Sequence, residues 1–194
     1  MKPPASRILP LTLLAAMANA SDETSWREQA REAAQQLQSQ LAVALVGAIN
    51  DDGPAHAVQV CKLVAPEIAA EASGPSMTIG RTALRVRNPD NAPDQWETTT
   101  LHDFEAQLSN GADPATLETW TIETESGYTI GRWMKAIPTA ALCTQCHGSQ
   151  VDPALLNHIR SIYPQDQAIG FEVGELRGAF TARVILAGPE HQDR

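Results

Sequence analysis

The stretch LETWTIETESGYTIGRWMKAI, residues 117–137, decides the fold class because it reads as two β-strands separated by a tight turn. Residues that favour strands, such as threonine, isoleucine, tryptophan and tyrosine, fill both halves. Glu-Ser-Gly at 125–127 marks a hairpin turn between them. The strands of a hairpin are antiparallel, so this stretch predicts an antiparallel sheet.

Helical and strand-like segments surround this hairpin. Apolar residues at helical spacing predict a long helix over 21–50, and Asp-Asp-Gly-Pro at 51–54 separates it from a second helix to residue 72. Asp94 and Glu97 form a capping-box pattern at the start of a further helix. The remaining predicted elements are strands over 77–87 and 170–186, the latter bent or bulged at its glycines, and a helix over 152–163. This order predicts an α+β fold without parallel βαβ crossovers.

The first twenty residues have the pattern of a secretory leader. Lys2 and Arg7 precede an apolar run, and Ala18-Asn19-Ala20 matches a cleavage site. The run is shorter than the roughly 20 apolar residues that span a bilayer. We therefore expect cleavage after Ala20, a periplasmic mature protein and no stable membrane span.

The charge and cysteine content narrow the functional classes. The chain of 194 residues has a formal net charge of −9, and two of its basic residues lie in the predicted leader. Such a chain would be repelled by nucleic acid, so we expect no nucleic-acid partner. Three cysteines in an oxidising compartment leave at least one without a disulfide partner.

The motif ALCTQCHGSQ, residues 141–150, contains Cys143, Cys146 and His147 in the Cys-x-x-Cys-His arrangement of c-type haem attachment. Two thiols three residues apart lie on one face of a helical turn, where both can bond to one porphyrin edge. The adjacent histidine can then serve as an axial ligand of the iron. One motif predicts one covalently attached haem c.

Three other readings of the motif remain open. A Cys-x-x-Cys redox pair would normally lie in a thioredoxin-like βαβ setting, which the predicted element order lacks. A zinc site would need a fourth ligand at a recognisable spacing. A structural bridge between Cys143 and Cys146 would give His147 no role.

The second axial position of the iron has several candidates. Cys61 lies on the apolar face of the predicted second helix, where a free cysteine is also common as an inert buried residue. His158 is predicted at the boundary of its helix and His102 on a solvated face. The candidates are Cys61, His56, His102, His158, Met77 and Met134, and an open position is a further alternative.

Four segments together resemble a family of exported or sensor-linked c-type haem domains with a PAS-like fold. They are VCKLVAPEIA (60–69), IGRTALRVRNPDNAPDQWE (79–97), CTQCHG (143–148) and YPQDQAIGFEVGELRGAF (163–180). The resemblance covers about residues 30 to 186 and implies a PAS-like c-haem domain over 51–188, followed by a tail at 189–194. It also implies that Cys61 is the second axial ligand, opposite His147.

Arginines in the predicted strand over 77–87 suggest a further contact with haem. Arg81, Arg85 and Arg87 share one face, which is either a solvated sheet face or a partner for the haem propionates. Arginine binds carboxylates bidentately, so we select Arg81 and Arg85 as cofactor-binding candidates.

These predictions give a functional hypothesis. The chain is expected to be an exported monohaem protein that senses redox state or transfers electrons at low potential, because a thiolate ligand stabilises ferric iron. A separate redox or signalling protein would be its partner, and a small gas could bind if Cys61 leaves the iron. The alternative is a small haem peroxidase-like enzyme with an open distal site and a catalytic acid–base group.

Overall fold

The computed structural model describes residues 12–189, with the backbone alone for residues 12–24. Its helices are α1 (Thr12–Ala72), α2 (Gln95–Ser109), α3 (Thr144–His147) and α4 (Pro153–Ile162). The strands are β1 (Met77–Thr82), β2 (Glu118–Glu125), β3 (Tyr128–Pro138) and β4 (Leu176–Ala187). They form one four-stranded antiparallel sheet in the order β1-β4-β3-β2. The predicted α+β class with an antiparallel sheet is confirmed.

The hairpin of β2 and β3 is confirmed with a two-residue turn. Glu125 pairs with Tyr128, and Ser126 and Gly127 between them both have positive φ, 50° and 83°. Positive φ at both central positions is the geometry that matches the twist of two antiparallel strands. Glycine reaches that region without steric cost, which explains its place at the second turn position.

Helix α1 covers one face of the sheet. It is kinked at Asp52 and Gly53, whose backbone angles are not helical, so the break predicted at residues 51–54 is present. Both segments on either side of the kink pack on the same core, the earlier through Leu37 and the later through Ile68. The sheet contributes Ile79, Trp133, Phe180, Ala182 and Val184 to this core.

Helix α2 covers the opposite face. Leu101 and Phe104 are buried against Met134, Leu176 and other residues of β3 and β4. The capping box predicted at its start is present, because the side chains of Asp94 and Glu97 each accept a hydrogen bond from the other's backbone N–H. The sheet is therefore the middle of three layers, and the two helical layers are formed by distant parts of the chain.

The strand predicted over residues 77–87 is shorter than expected. It ends at Thr82, which pairs with Ala179, and β4 has a β-bulge in its pairing with β3 beside the neighbouring Gly178. A Cβ on Gly178 would lie 2.4 Å from the carbonyl oxygen of Thr82, so the two backbones are in close contact. The prediction that Arg81, Arg85 and Arg87 share one strand face is wrong, because only Arg81 belongs to the strand.

The N-terminal predictions lie partly outside the described residues. Residues 1–11 of the predicted leader and residues 190–194 of the predicted tail are not described, and α1 already begins at Thr12 rather than near residue 21. Among the residues described, none of the helices combines the length and apolarity needed to cross a bilayer.

The packing of α1 on the sheet gives a stability prediction. Leu37 is 0% exposed and Leu63 is 69% exposed, although both lie on α1. We expect Leu37→Ala to lower the free energy of unfolding by about 2 to 5 kcal/mol, since it removes buried methyl groups and leaves a cavity. Leu63→Ala is the matched control and should change it by no more than about 0.5 kcal/mol. Urea unfolding measures both, and equal losses would contradict this packing.

Candidate functional site

The Cys-x-x-Cys-His motif forms a single helical turn between β3 and α4. The backbone N–H groups of Cys146 and His147 both donate to the carbonyl of Cys143, at 3.3 and 2.9 Å. This geometry agrees with the helical turn predicted for the motif. Cys61, Cys143 and Cys146 are all half-buried and none forms a disulfide.

The imidazole of His147 is held in one orientation. Its Nδ1 lies 2.7 Å from the carbonyl oxygen of Ala168, and because a carbonyl can only accept, Nδ1 carries the proton. The lone pair is then on Nε2, as in histidines that ligate metals. Phe171 packs edge-on against the ring, and its N–H donates to the His147 carbonyl. Burial, and then the positive charge of Arg177, keep the pKa of His147 well below its usual value, so the ring is neutral.

Arg87 fastens the motif turn to the loop that carries Ala168. Its guanidinium forms an ion pair with Asp166 at 3.2 Å, and these side chains are only 12% and 1% exposed. The same guanidinium donates to the carbonyls of Cys146 and Ala168, at 2.6 and 3.3 Å. Asp166 also accepts a hydrogen bond from the Ala168 N–H. The acceptor of the His147 hydrogen bond is therefore fixed by a buried ion pair.

Cys61, on α1, lies near the charges of Arg81 and Arg87. Burial raises the pKa of its thiol, while the positive charges of Arg81 and Arg87 oppose that rise. The negative charge of a Cys61 thiolate contributes in turn to raising the pKa of Cys146, where burial is the larger cause. The fold thus brings Cys61 of the N-terminal helix near the motif, although Cys146 lies 85 positions further along the chain.

Two further arginines lie at the site. Desolvation by the surrounding protein lowers the pKa of Arg81, although the residue remains partly accessible to water. Burial, and then repulsion by Arg87 and Arg81, lower the pKa of Arg177 to about 10, so it remains charged at neutral pH. Sequence reasoning missed Arg177 and Asp166. Both are ordinary charged residues in irregular or bulged segments, and no pattern marks them.

Arg85 lies beside the site rather than among the cysteines. Its guanidinium stacks on Phe171 at 3.6 Å from the ring centroid, donates to the carbonyl of Ile169 at 2.9 Å, and forms an ion pair with Glu175 at 3.7 Å. These contacts neutralise Arg85 within the protein. Its predicted role as a propionate partner is not tested by them.

The other candidate ligands are engaged elsewhere. The Nε2 of His158 lies 3.1 Å from the carbonyl of Ala55, and His102 is exposed beside Glu105 on α2. Met134 is fully buried in the core under α2. His56 is half-buried, and Met77 packs at the edge of the α1 core.

A surface cavity of about 280 Å³ lies on the α2 side of the sheet, away from the cysteines. Trp96, Asp103, Gln107 and Thr119 are among the residues that line it. Within residues 25–189, where side chains are described, no group of three or more His, Cys, Asp or Glu residues is arranged to hold a metal ion.

The comparisons with known proteins agree with this architecture. Residues 13–184 match the profile of the Tll0287-like family, so the chain belongs to that family. The crystal structure of the cyanobacterial haem protein Tll0287 superposes with a TM-score of 0.56 at 23% identity. The alignment covers 87% of this chain and 97% of that one. At this identity the match shows a shared fold, and no curated protein matches the sequence.

The buried ion pair at the site gives a prediction with a control. Asp166→Ala leaves Arg87 as an uncompensated buried charge, so the free energy of unfolding should fall by about 3 to 5 kcal/mol. Glu125→Ala removes the exposed ion pair with Arg183 and should lower it by no more than about 1 kcal/mol. Chemical denaturation of both variants tests this. Equal effects would show that the Arg87–Asp166 pair does not support the site.

Proposed function

We propose that this protein is an exported c-type monohaem protein that acts in redox sensing or in electron transfer at low potential. The observation that carries the proposal is the orientation of His147. Its Nδ1–H is bonded to Ala168, which leaves Nε2 free to bind iron, and it follows directly after two free thiols on one helical turn. The family contains a member described as a haem protein, which supports the same assignment.

The residues present fit a covalently attached haem. Cys143 and Cys146 lie one turn apart and neither is consumed by a disulfide, so both thiols can form thioether bonds. Haem supplies an iron that accepts and returns one electron. His147 would bind that iron as a neutral imidazole, in agreement with its lowered pKa.

Cys61 is our proposed second axial ligand. It is half-buried, has no disulfide partner and lies near enough to Cys146 for its charge to raise the pKa of that thiol. Arg81 and Arg87 favour the charged form of its thiol, which is the form that binds a metal. A thiolate donates electron density to iron and would hold the reduction potential low, which supports redox sensing over high-potential electron transfer.

The remaining parts of the proposal concern location and partners. A leader over residues 1–20 would place the mature protein in the periplasm, where haem attachment takes place. The redox change would pass to a separate redox or signalling protein. We include binding of a small gas such as CO, which would require Cys61 to release the iron. A PAS-like description of the domain is part of the same proposal and rests on the sequence resemblance.

Electron paramagnetic resonance of the ferric protein tests the ligand assignment. We expect a low-spin thiolate signal in the wild type and its loss in Cys61→Ala, because the sulfur ligand is removed. His158→Ala is the matched control, since it removes the alternative ligand on α4, and it should leave the signal unchanged.

Two outcomes would contradict the proposal. Identical spectra of the wild type and Cys61→Ala would exclude Cys61 as the ligand. A ferric spectrum that changes on addition of peroxide would instead favour the peroxidase-like alternative with an open distal position.

A further inference from the structure

The cluster around His147 carries more positive charge than its own carboxylates neutralise. Arg87 donates a hydrogen bond to the carbonyl of Cys146, next to His147. Arg177 lies beside Phe171, which packs against His147. Arg81 lies on the face of β1 that packs against α1, the helix of Cys61. Asp166 pairs with Arg87. Within residues 25–189, no carboxylate oxygen lies within 4 Å of the guanidinium of Arg81 or Arg177, although the whole chain has a net charge of −9.

Both unpaired arginines face the site. Arg81 is two residues beyond Ile79 on β1, so the two side chains lie on the same face of the strand, the one that packs against α1. Its charge acts on Cys61. Arg177 precedes the bulge of β4, and its guanidinium carbon lies 5.0 Å from the ring of Phe171, which packs against His147. Arg177 donates one long hydrogen bond, of 3.5 Å, to the carbonyl of Arg85.

Arg177 is half-buried, and a half-buried arginine without a counter-charge is costly to the fold. Arginine remains protonated in proteins, so neutralisation by loss of a proton does not relieve the cost. Mutual repulsion between Arg81, Arg87 and Arg177 adds to it. An anion beside these arginines would offset both effects, and a carboxylate suits a guanidinium because two parallel N–H···O bonds can form.

We propose that Arg81 and Arg177 are the residues that bind the two propionate carboxylates of the haem. This inference rests on the proposed function, because it concerns the orientation of a haem attached at Cys143 and Cys146. We do not include Arg85 in the pair, because Glu175, the Ile169 carbonyl and Phe171 already contact its guanidinium. Arg87 is excluded on the same ground by Asp166.

Infrared difference spectra between the oxidised and reduced holoprotein test this assignment. Haem labelled with ¹³C at the propionate carboxyl carbons identifies the propionate bands by their isotope shift. We expect these bands to move in Arg81→Gln and again in Arg177→Gln, because each variant removes a charged double hydrogen bond. Arg183→Gln is the control on β4, where the arginine pairs with Glu125 at the surface, and its propionate bands should match those of the wild type.

The conservative variant Arg177→Lys keeps the charge but loses the paired geometry. Arg177→Lys should also shift the labelled bands. It replaces Arg177→Gln in the experiment if that variant does not accumulate as holoprotein. Labelled bands that are the same in wild type, Arg81→Gln and Arg177→Lys would overturn the inference. So would a shift in Arg85→Gln alone, which would assign the propionates to Arg85.

Failure of this inference is distinguishable from failure of the proposed function. A wild-type protein that carries covalent haem but shows unshifted bands in the arginine variants retains the proposed function and refutes only the role of Arg81 and Arg177. Wild-type protein without any haem, after production in a periplasm that attaches haem to a control cytochrome c, refutes both.

Discussion

The hydrogen bond from the Nδ1 of His147 to the carbonyl of Ala168 is the contact on which the site depends. It sets which ring nitrogen carries the proton and therefore which one can bind a metal. Ala168 cannot hold that position alone, because it lies in an irregular segment before β4. The buried ion pair of Arg87 and Asp166 fixes this segment against the motif turn, through hydrogen bonds at Cys146 and Ala168.

The sheet explains how distant residues reach this point. β4 lies between β1 and β3, and its pairing with β1 ends at Thr82, next to the bulge beside Gly178. The chain after Thr82 is thereby released from the sheet, and it carries Arg85 and Arg87 to the loop at 166–169. The kink of α1 returns its second segment to the same sheet face and brings Cys61 toward the motif.

Local sequence patterns predicted the secondary-structure elements, whereas the end of β1 and part of the site depend on tertiary contacts. The β2–β3 hairpin, the break in α1 and the capping box at Asp94 follow from short-range sequence signals, and all three are present. β1 ends beside the close contact of its Thr82 with Gly178, a residue nearly 100 positions later, and no local pattern encodes that contact. Arg177 and Asp166 were missed for the same reason, since their importance comes from burial beside His147. The motif itself was recognisable because its chemistry requires a fixed spacing.

The central claim, that one haem is bound covalently through Cys143 and Cys146, is tested most directly by mass spectrometry of the intact, denatured protein. The protein should be produced in a periplasm with a functional haem-attachment system. The account predicts the mass of the processed polypeptide plus one haem, and loss of that increment when both cysteines are replaced by alanine. The mass of the bare polypeptide for the wild type would contradict it.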